Sequence, residues 1–199
     1  MRDFMKIVSA LVFSAAAIIA QPALAQAADP SAAHDGLRLE TRATWETPTV
    51  SSVLQNNDVY KLGSAFAFGG EAGFDLAVSH AVVVGPYVTY EKSNVDNCDG
   101  TDCLSAKDNV AGGLEVGYAV GKAGQLYGKL GYASLSLEAT LAGDRTTESG
   151  SGVEFAIGYE HALSKTFYGR VEFGYADNGQ IMGINFQRRH AGLSLGARF

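Results

Sequence analysis

Alternation of period two, with one apolar face and one face that is both charged and glycine-rich, constrains this chain more than any other feature. Across residues 36–46, Leu37, Leu39, Thr41, Ala43 and Trp45 share one parity, and Arg38, Glu40, Arg42, Thr44 and Glu46 share the other. Residues i and i+2 lie on one face only in a strand; on a helix these charges would scatter around the axis. The same pattern returns over residues 64–77, 81–91, 110–121, 126–136, 152–160, 167–175 and 191–199. The sequence therefore predicts eight strands, and an all-β fold.

A soluble sandwich also alternates, so the polar face has to decide. Gly69, Glu71, Gly73 and Asp75 share a face, as do Gly113, Glu115, Gly117 and Gly121. Glycine weakens a strand, and a face turned to solvent has no use for so many. The narrow interior of an eight-stranded barrel does, because large charged chains there must interleave with residues that have no side chain. The connections point the same way. Residues 77–80, 122–125 and 161–165 are tight, residues 47–62, 92–109 and 138–151 are long and polar, and residues 176–183 are intermediate. Short turns at one end and long loops at the other are the habit of transmembrane barrels. The expected fold is an eight-stranded antiparallel up-and-down transmembrane β-barrel over residues 36–199.

Composition agrees. Mean hydropathy is +0.04, too polar for a helical membrane protein, while 10% aromatic content is too high for a disordered chain. The net charge of −6 argues against a nucleic-acid partner, which demands a basic face. Before the alternation, Arg2 and Lys6 precede an apolar run of about fourteen residues, broken at Pro22 and followed by Ala23-Leu24-Ala25. This reads as a cleaved signal peptide over residues 1–25, with residues 26–35 a short periplasmic segment.

The chain ends in Gly192-Leu193-Ser194-Leu195-Gly196-Ala197-Arg198-Phe199. An alternating apolar strand closing on phenylalanine resembles the sorting signal of Gram-negative outer-membrane β-barrels, with Leu193, Leu195 and Phe199 as its residues. Together with the secretory start, the chain resembles the small outer-membrane barrel family of opacity-type proteins and the transmembrane domain of outer-membrane protein A. The resemblance implies residence in the outer membrane among its lipids. It also implies delivery to the barrel-assembly machinery through the last strand. Members of the family are structural, adhesive, pore-forming or enzymatic, so the fold alone does not give the function.

Three features bear on chemistry. First, Arg38, Glu40, Arg42, Glu71, Asp75, Glu115, Lys129, Glu154, Arg170, Glu172 and Arg198 project to one side of the sheet. In a closed lumen they must pair or keep water, since an unpaired buried ion costs several kcal/mol. Their mixed signs predict an internal salt-bridge network that plugs the barrel; an open pore for small solutes is the alternative. Second, Cys98 and Cys103 lie in one long loop, and an oxidising compartment predicts a disulfide between them. The acidic residues around them, Asp96, Asp99, Asp102 and Asp108, do not match an EF-hand spacing, and no metal or cofactor is expected. Third, no nucleophile elbow, zinc-protease or phosphate-loop motif is present, and no catalytic residues are assigned. His190 with Ser194 is the nearest approach to a lipid-modifying pair, but a spacing of four along a strand separates them by roughly 13 Å. The expectation is a structural or surface-interaction protein with four extracellular loops and an extracellular ligand of unknown kind. One irregularity remains: Leu135 and Leu137 break the apolar parity of Leu130, which suggests a bulge near Ser134.

Overall fold

The computed structural model describes residues 33–51 and 59–199. The proposed signal peptide, residues 1–25, lies outside the described residues, as does most of the 26–35 segment.

Ten strands form one antiparallel sheet: β1 (Gly36–Ser51), β2 (Val59–Lys61), β3 (Ala65–Ala77), β4 (Val82–Lys92), β5 (Asp96–Asp99), β6 (Asp102–Val120), β7 (Gly124–Leu141), β8 (Asp144–Ala162), β9 (Phe167–Ile181) and β10 (Ile184–Arg198). Strands β2 and β5 are short additions paired to β1 and β6. The other eight run up and down in chain order. Strand β10 then pairs with β1 from Arg38↔Arg198 to Ser51↔Asn185, which closes the ring. Closure removes the edges that an open sheet would leave unpaired.

The outward face is the apolar parity of the sequence. Leu39, Trp45, Phe66, Phe68, Phe74, Leu114, Tyr118, Phe155, Phe173 and Leu193 are all exposed there. Large apolar side chains exposed around a whole ring need a hydrocarbon solvent, which a bilayer supplies. No helix among the described residues is long and apolar enough to cross a membrane; the strands do the crossing.

The two ends differ. Both termini of the ring meet at the short-turn end, where Leu37 and Phe199 exchange backbone hydrogen bonds of 3.1 and 2.8 Å. The opposite end is built of hairpins. Residues 138–151 and 176–183, expected as loops, are strand instead. Strands β7 and β8 run on to a two-residue turn at Ala142-Gly143, and β9 and β10 to one at Met182-Gly183. All four turn residues have positive φ (52°, 94°, 54° and 76°), the conformation that twist-matched two-residue hairpins require. Strand β6 has 19 residues, about 60 Å at roughly 3.3 Å per residue, whereas crossing takes about 9–11. The outer part of the sheet therefore stands clear of the membrane.

The suspected bulge near Ser134 is absent. The β7–β8 ladder passes through Ser134↔Ser151 and Leu135↔Gly150 without a shift. The irregularity lies on the neighbouring strand, where β6 carries one extra residue between Ala106 and Asn109. A second lies on β9, where Asn178 is the extra residue between Asp177 and Gly179. Leu135 and Leu137 keep the parity of Lys129 and point inward, fully buried. The lumen itself changes from charged to apolar along its length.

Candidate functional site

The interior is layered. In its middle, Arg38 donates to Glu71 at 2.6 Å, Glu40 at 3.1 Å and Glu115 at 2.7 Å, and its Nε lies 3.0 Å from Asp75. Arg42 donates to Glu71 at 2.9 Å, Glu172 at 2.6 Å and Glu91 at 3.2 Å. Lys129 donates to Glu71 and Glu172, both at 2.6 Å. Arg170 places two nitrogens on Glu115 at 2.8 and 2.9 Å, reaches Glu160 at 2.7 Å, and lies over the Tyr127 ring at 4.3 Å. Glu71 is the hub: it also accepts from Thr89 at 2.8 Å, so four side chains from three strands converge on it. Nine of these ions come from β1, β3, β6, β7 and β9, brought together by the register of the ring.

Glycines clear the space for these groups. A Cβ at Gly73 would lie 2.6 Å from the Arg38 guanidinium carbon. One at Gly158 would lie 2.3 Å from the Tyr127 ring, and one at Gly174 the same distance from the His190 imidazole. The glycine-rich face thus does what its sequence suggested, at particular partners.

At the short-turn end, Arg198 donates to Asp75 at 3.0 Å and Glu160 at 2.7 Å. His34, from the segment expected to precede the barrel, is inserted here and fully buried, with Nδ1 2.9 Å from Glu160. Towards the hairpin end, Arg188 donates to Glu91 at 2.6 Å and also to Glu46, while Ser93 donates to Glu46 and Thr44 to Glu91. His190 Nε2 is 3.4 Å from Glu172. It faces this network and is turned away from lipid, and Ser194 is buried on the same inner face.

Above the charges lies an apolar lid of Leu62, Val95, Ala106, Leu135, Leu137, Ile181 and Phe186, all buried. Val50, Ala65, Leu104 and Met182 pack against it.

Ten of the eleven lumen charges expected from the sequence fall into one connected network. Glu154 shares their face but makes no ion pair among the described residues, and its Oε2 has no hydrogen-bond partner there. Glu46, Glu91, Glu160 and Arg188 belong to the network and were not assigned to it. Parity could have found them, since Arg188, His190, Ser194 and Arg198 alternate on one strand; its length was underestimated.

Outside the membrane, Cys98 and Cys103 are directly opposed on β5 and β6 and form a disulfide. No group of three or more His, Cys, Asp or Glu placed to hold a metal occurs among the described residues. Side-chain bonds tie the hairpins in series. Asn97 donates to the Leu62 carbonyl at 2.8 Å, the Ala142 amide donates to Asp102 at 2.9 Å, and the Met182 amide donates to Glu148 at 2.8 Å. The expected sorting residues Leu193, Leu195 and Phe199 are outward and exposed, at the β10 end of the ring.

A closed eight-stranded ring with a lipid-compatible exterior defines a transmembrane β-barrel of the outer-membrane type. The chain belongs to the outer membrane protein beta-barrel domain family, whose model matches residues 11–199. It is a Gram-negative outer-membrane protein. Among solved structures, it is similar to Neisserial surface protein A, with a TM-score of 0.62 at 11% identity, covering 83% of this chain and 98% of that one. It is also similar to the attachment invasion locus protein Ail of Yersinia pestis, solved in complex with the heparin analogue sucrose octasulfate. The TM-score there is 0.57 at 11% identity, covering 81% of this chain and 99% of that one. At such identities the likeness is one of fold. No curated protein sequence matches the chain.

Proposed function

We propose that this protein is a closed, non-enzymatic barrel that displays a braced set of hairpins at the cell surface and engages an extracellular polypeptide there. The observation that carries this reading is the serial bracing of the hairpin end: Leu62–Asn97, Asp102–Ala142 and Glu148–Met182 join every pair of successive hairpins. Loops that only cap a pore need no such ties. The lumen supports the same reading, because salt bridges in its middle and the apolar lid above them leave conduction without a continuous polar path.

The braced platform also offers a docking edge. Strand β8 pairs with β7 from Asp144 onward but with β9 only from Glu154 to Ala162. Residues Asp144–Ser149 therefore present one free edge of main-chain donors and acceptors outside the membrane, whereas Gly150 and Gly152 already lie against the β9 backbone. Such an edge accepts an extended segment by strand addition. Ail is solved with a sulfated sugar analogue, whereas this hairpin end carries Asp96, Asp99, Asp102, Asp144 and Glu148 close to its turns. A polyanion would be repelled there, which favours a peptide ligand.

Two measurements test the reading. Planar-bilayer recording of the refolded protein is expected to be silent, and reproducible conductance steps would replace the display role with a small-solute pore. Extended peptides selected on the protein in nanodiscs are expected to lose binding when residues 140–147 are replaced by a short turn. Binding that survives this truncation would refute the edge.

A further inference from the structure

The lipid-facing wall is not equally smooth around the ring. Two adjoining apolar grooves, of about 560 and 720 Å³, cross its outer surface where β9, β10 and β1 meet. They share Thr41, Leu163 and Leu195 and lie on either side of the ladder row that runs His161, Gly169, Leu195, Thr41. Phe167 and Ala197 border the groove on one side of this row, and Val171 and Leu193 the groove on the other. Leu195, 65% exposed, is the ridge between them, and Gly169 is a notch beside it. Unlike the lumen glycines, Gly169 clears space for no protein group. A Cβ there would lie 3.8 Å from Leu195 and 3.9 Å from Leu163, at ordinary contact distance. Glycine weakens a strand, so a glycine that internal packing does not need leaves its space to a group from outside the chain.

Barrel strands are tilted and staggered, so this row climbs into the membrane. His161 lies one residue before the end of β8, whereas Thr41 lies five residues into β1. The grooves therefore open beside the β8–β9 turn and run from the short-turn rim toward the hydrocarbon core. Leu163, the first residue after β8, borders both of them, so they share one point of entry. The rim at that point is basic. Among the described residues, the exposed charged side chains of the short-turn end are Lys122, Lys165 and Asp35. The Ala162 amide donates to the Ala123 carbonyl at 2.8 Å, which sets the turns carrying Lys122 and Lys165 side by side next to His161. Asp35 is engaged elsewhere on the rim, where its Oδ1 accepts from the Ala77 amide at 3.3 Å. His161 Nδ1 lies 3.2 Å from the Tyr159 hydroxyl and the two rings stack, which orients the imidazole at the groove mouth.

We infer that the two grooves and this rim together bind one anionic diacyl glycerophospholipid of the leaflet at the short-turn end. One acyl chain lies in each groove with Leu195 between them, and the headgroup phosphate meets Lys165, Lys122 and His161. Two apolar grooves with one entry match two chains on one glycerol. Cations at that entry favour an anionic headgroup over a zwitterionic one. The site concerns the outer wall alone and stands or falls independently of what the hairpins bind.

The test is native mass spectrometry of the refolded protein in detergent. The titrants are phosphatidylglycerol, phosphatidylethanolamine with the same chains, and lysophosphatidylglycerol. Wild type is expected to retain one phosphatidylglycerol about tenfold more tightly than phosphatidylethanolamine, the scale set by two lysines beside an anionic headgroup. It should retain the one-chain lipid less tightly than the two-chain lipid, because only one groove is filled. Gly169→Leu fills the notch and should abolish retention while a heat-shifted band shows a folded barrel. Ala197→Phe fills the other groove and should do the same, and it carries the test should Gly169→Leu fail to fold. Lys122→Glu with Lys165→Glu should keep a retained lipid but lose the preference between headgroups. Equal retention of both headgroups by wild type would mean an annular lipid shell only and overturn the site. A phosphatidylglycerol preference that survives the groove-filling variants would assign it to surface charge alone, and one that survives the double lysine variant would remove the rim. Either result, or a one-chain lipid held as tightly as the two-chain one, would overturn it too.

Discussion

Removing the Arg38 side chain is the sharpest test of whether the lumen is a dry ionic core or a wet channel with charges along its wall. Arg38 is fully buried and meets four carboxylates, with contacts of 2.6 Å to Glu71, 2.7 Å to Glu115, 3.0 Å to Asp75 and 3.1 Å to Glu40. Arg38→Met keeps the stem and deletes the cation. Breaking a buried ion pair by removing one partner costs about 3–5 kcal/mol, mostly because the other charge stays buried. Here the loss falls on an interior that already has excess negative charge, so the upper end of that range is expected. With a urea slope of about 2 kcal/mol/M, the midpoint should fall by about 2 M in vesicles. Arg170 still meets Glu160 at 2.7 Å, so adding Glu115→Gln removes a carboxylate that Arg38→Met leaves short of a cation without orphaning Arg170. The double variant should recover part of the loss, a coupling that separated sites would not show. A midpoint shift under about 0.5 M would mean a solvated pair worth at most about 1 kcal/mol, and the plugged lumen would be refuted.

Three further outcomes follow from the same geometry. Phe186→Ala removes a 1%-exposed ring from the apolar lid and should cost about 3–5 kcal/mol by urea unfolding, whereas a loop residue at that height would cost little. Phe155→Arg, on the outward face, should cost about 2–4 kcal/mol in a bilayer if the ring lies near the midplane, and the penalty should shrink as the substituted position moves toward either interface. Cys98→Ser opens a disulfide spanning a separation of 5 residues, worth about 2 kcal/mol by chain entropy. Protease should cut the β5–β6 hairpin faster, and the urea midpoint of the whole barrel should fall by no more than about 1 M.

The transmembrane part of this fold was legible because a membrane forces strict alternation. Every residue of the crossing must satisfy either lipid or lumen, so parity alone assigns Phe66 outward and Glu71 inward. Beyond the membrane that rule lapses. The stretch from Asp144 to Ser149 is exposed on both faces, carries no apolar parity, and reads as a polar loop although it is strand. The lid escaped for the opposite reason. Leu135 and Leu137 obey the lumen parity of Lys129 but reverse its polarity, and a reader who equates inward with charged takes the reversal for a bulge. What no pattern reports is which charges touch. Arg38 on β1 and Glu115 on β6 are 77 positions apart and meet only because the ring closes.

The order of the lumen's layers explains why a small barrel would spend both kinds of interior. Salt bridges alone specify register well, since a one-residue slip of β1 would turn Arg38, Glu40 and Arg42 into lipid. They do not exclude water at an open mouth, and wet ion pairs lose most of their worth. An apolar lid excludes water but tolerates sliding. Placed above the charges, it keeps them in the low dielectric that makes their geometry decisive, while they fix the strands that hold it. The lid draws residues from β6, β7, β9 and β10 and from the connections at Leu62 and Val95, and these carry the braced hairpins. The rigidity of the outer platform is therefore seated in the packing of the lumen: loosening Leu135 or Phe186 should soften the hairpins before it unfolds the ring.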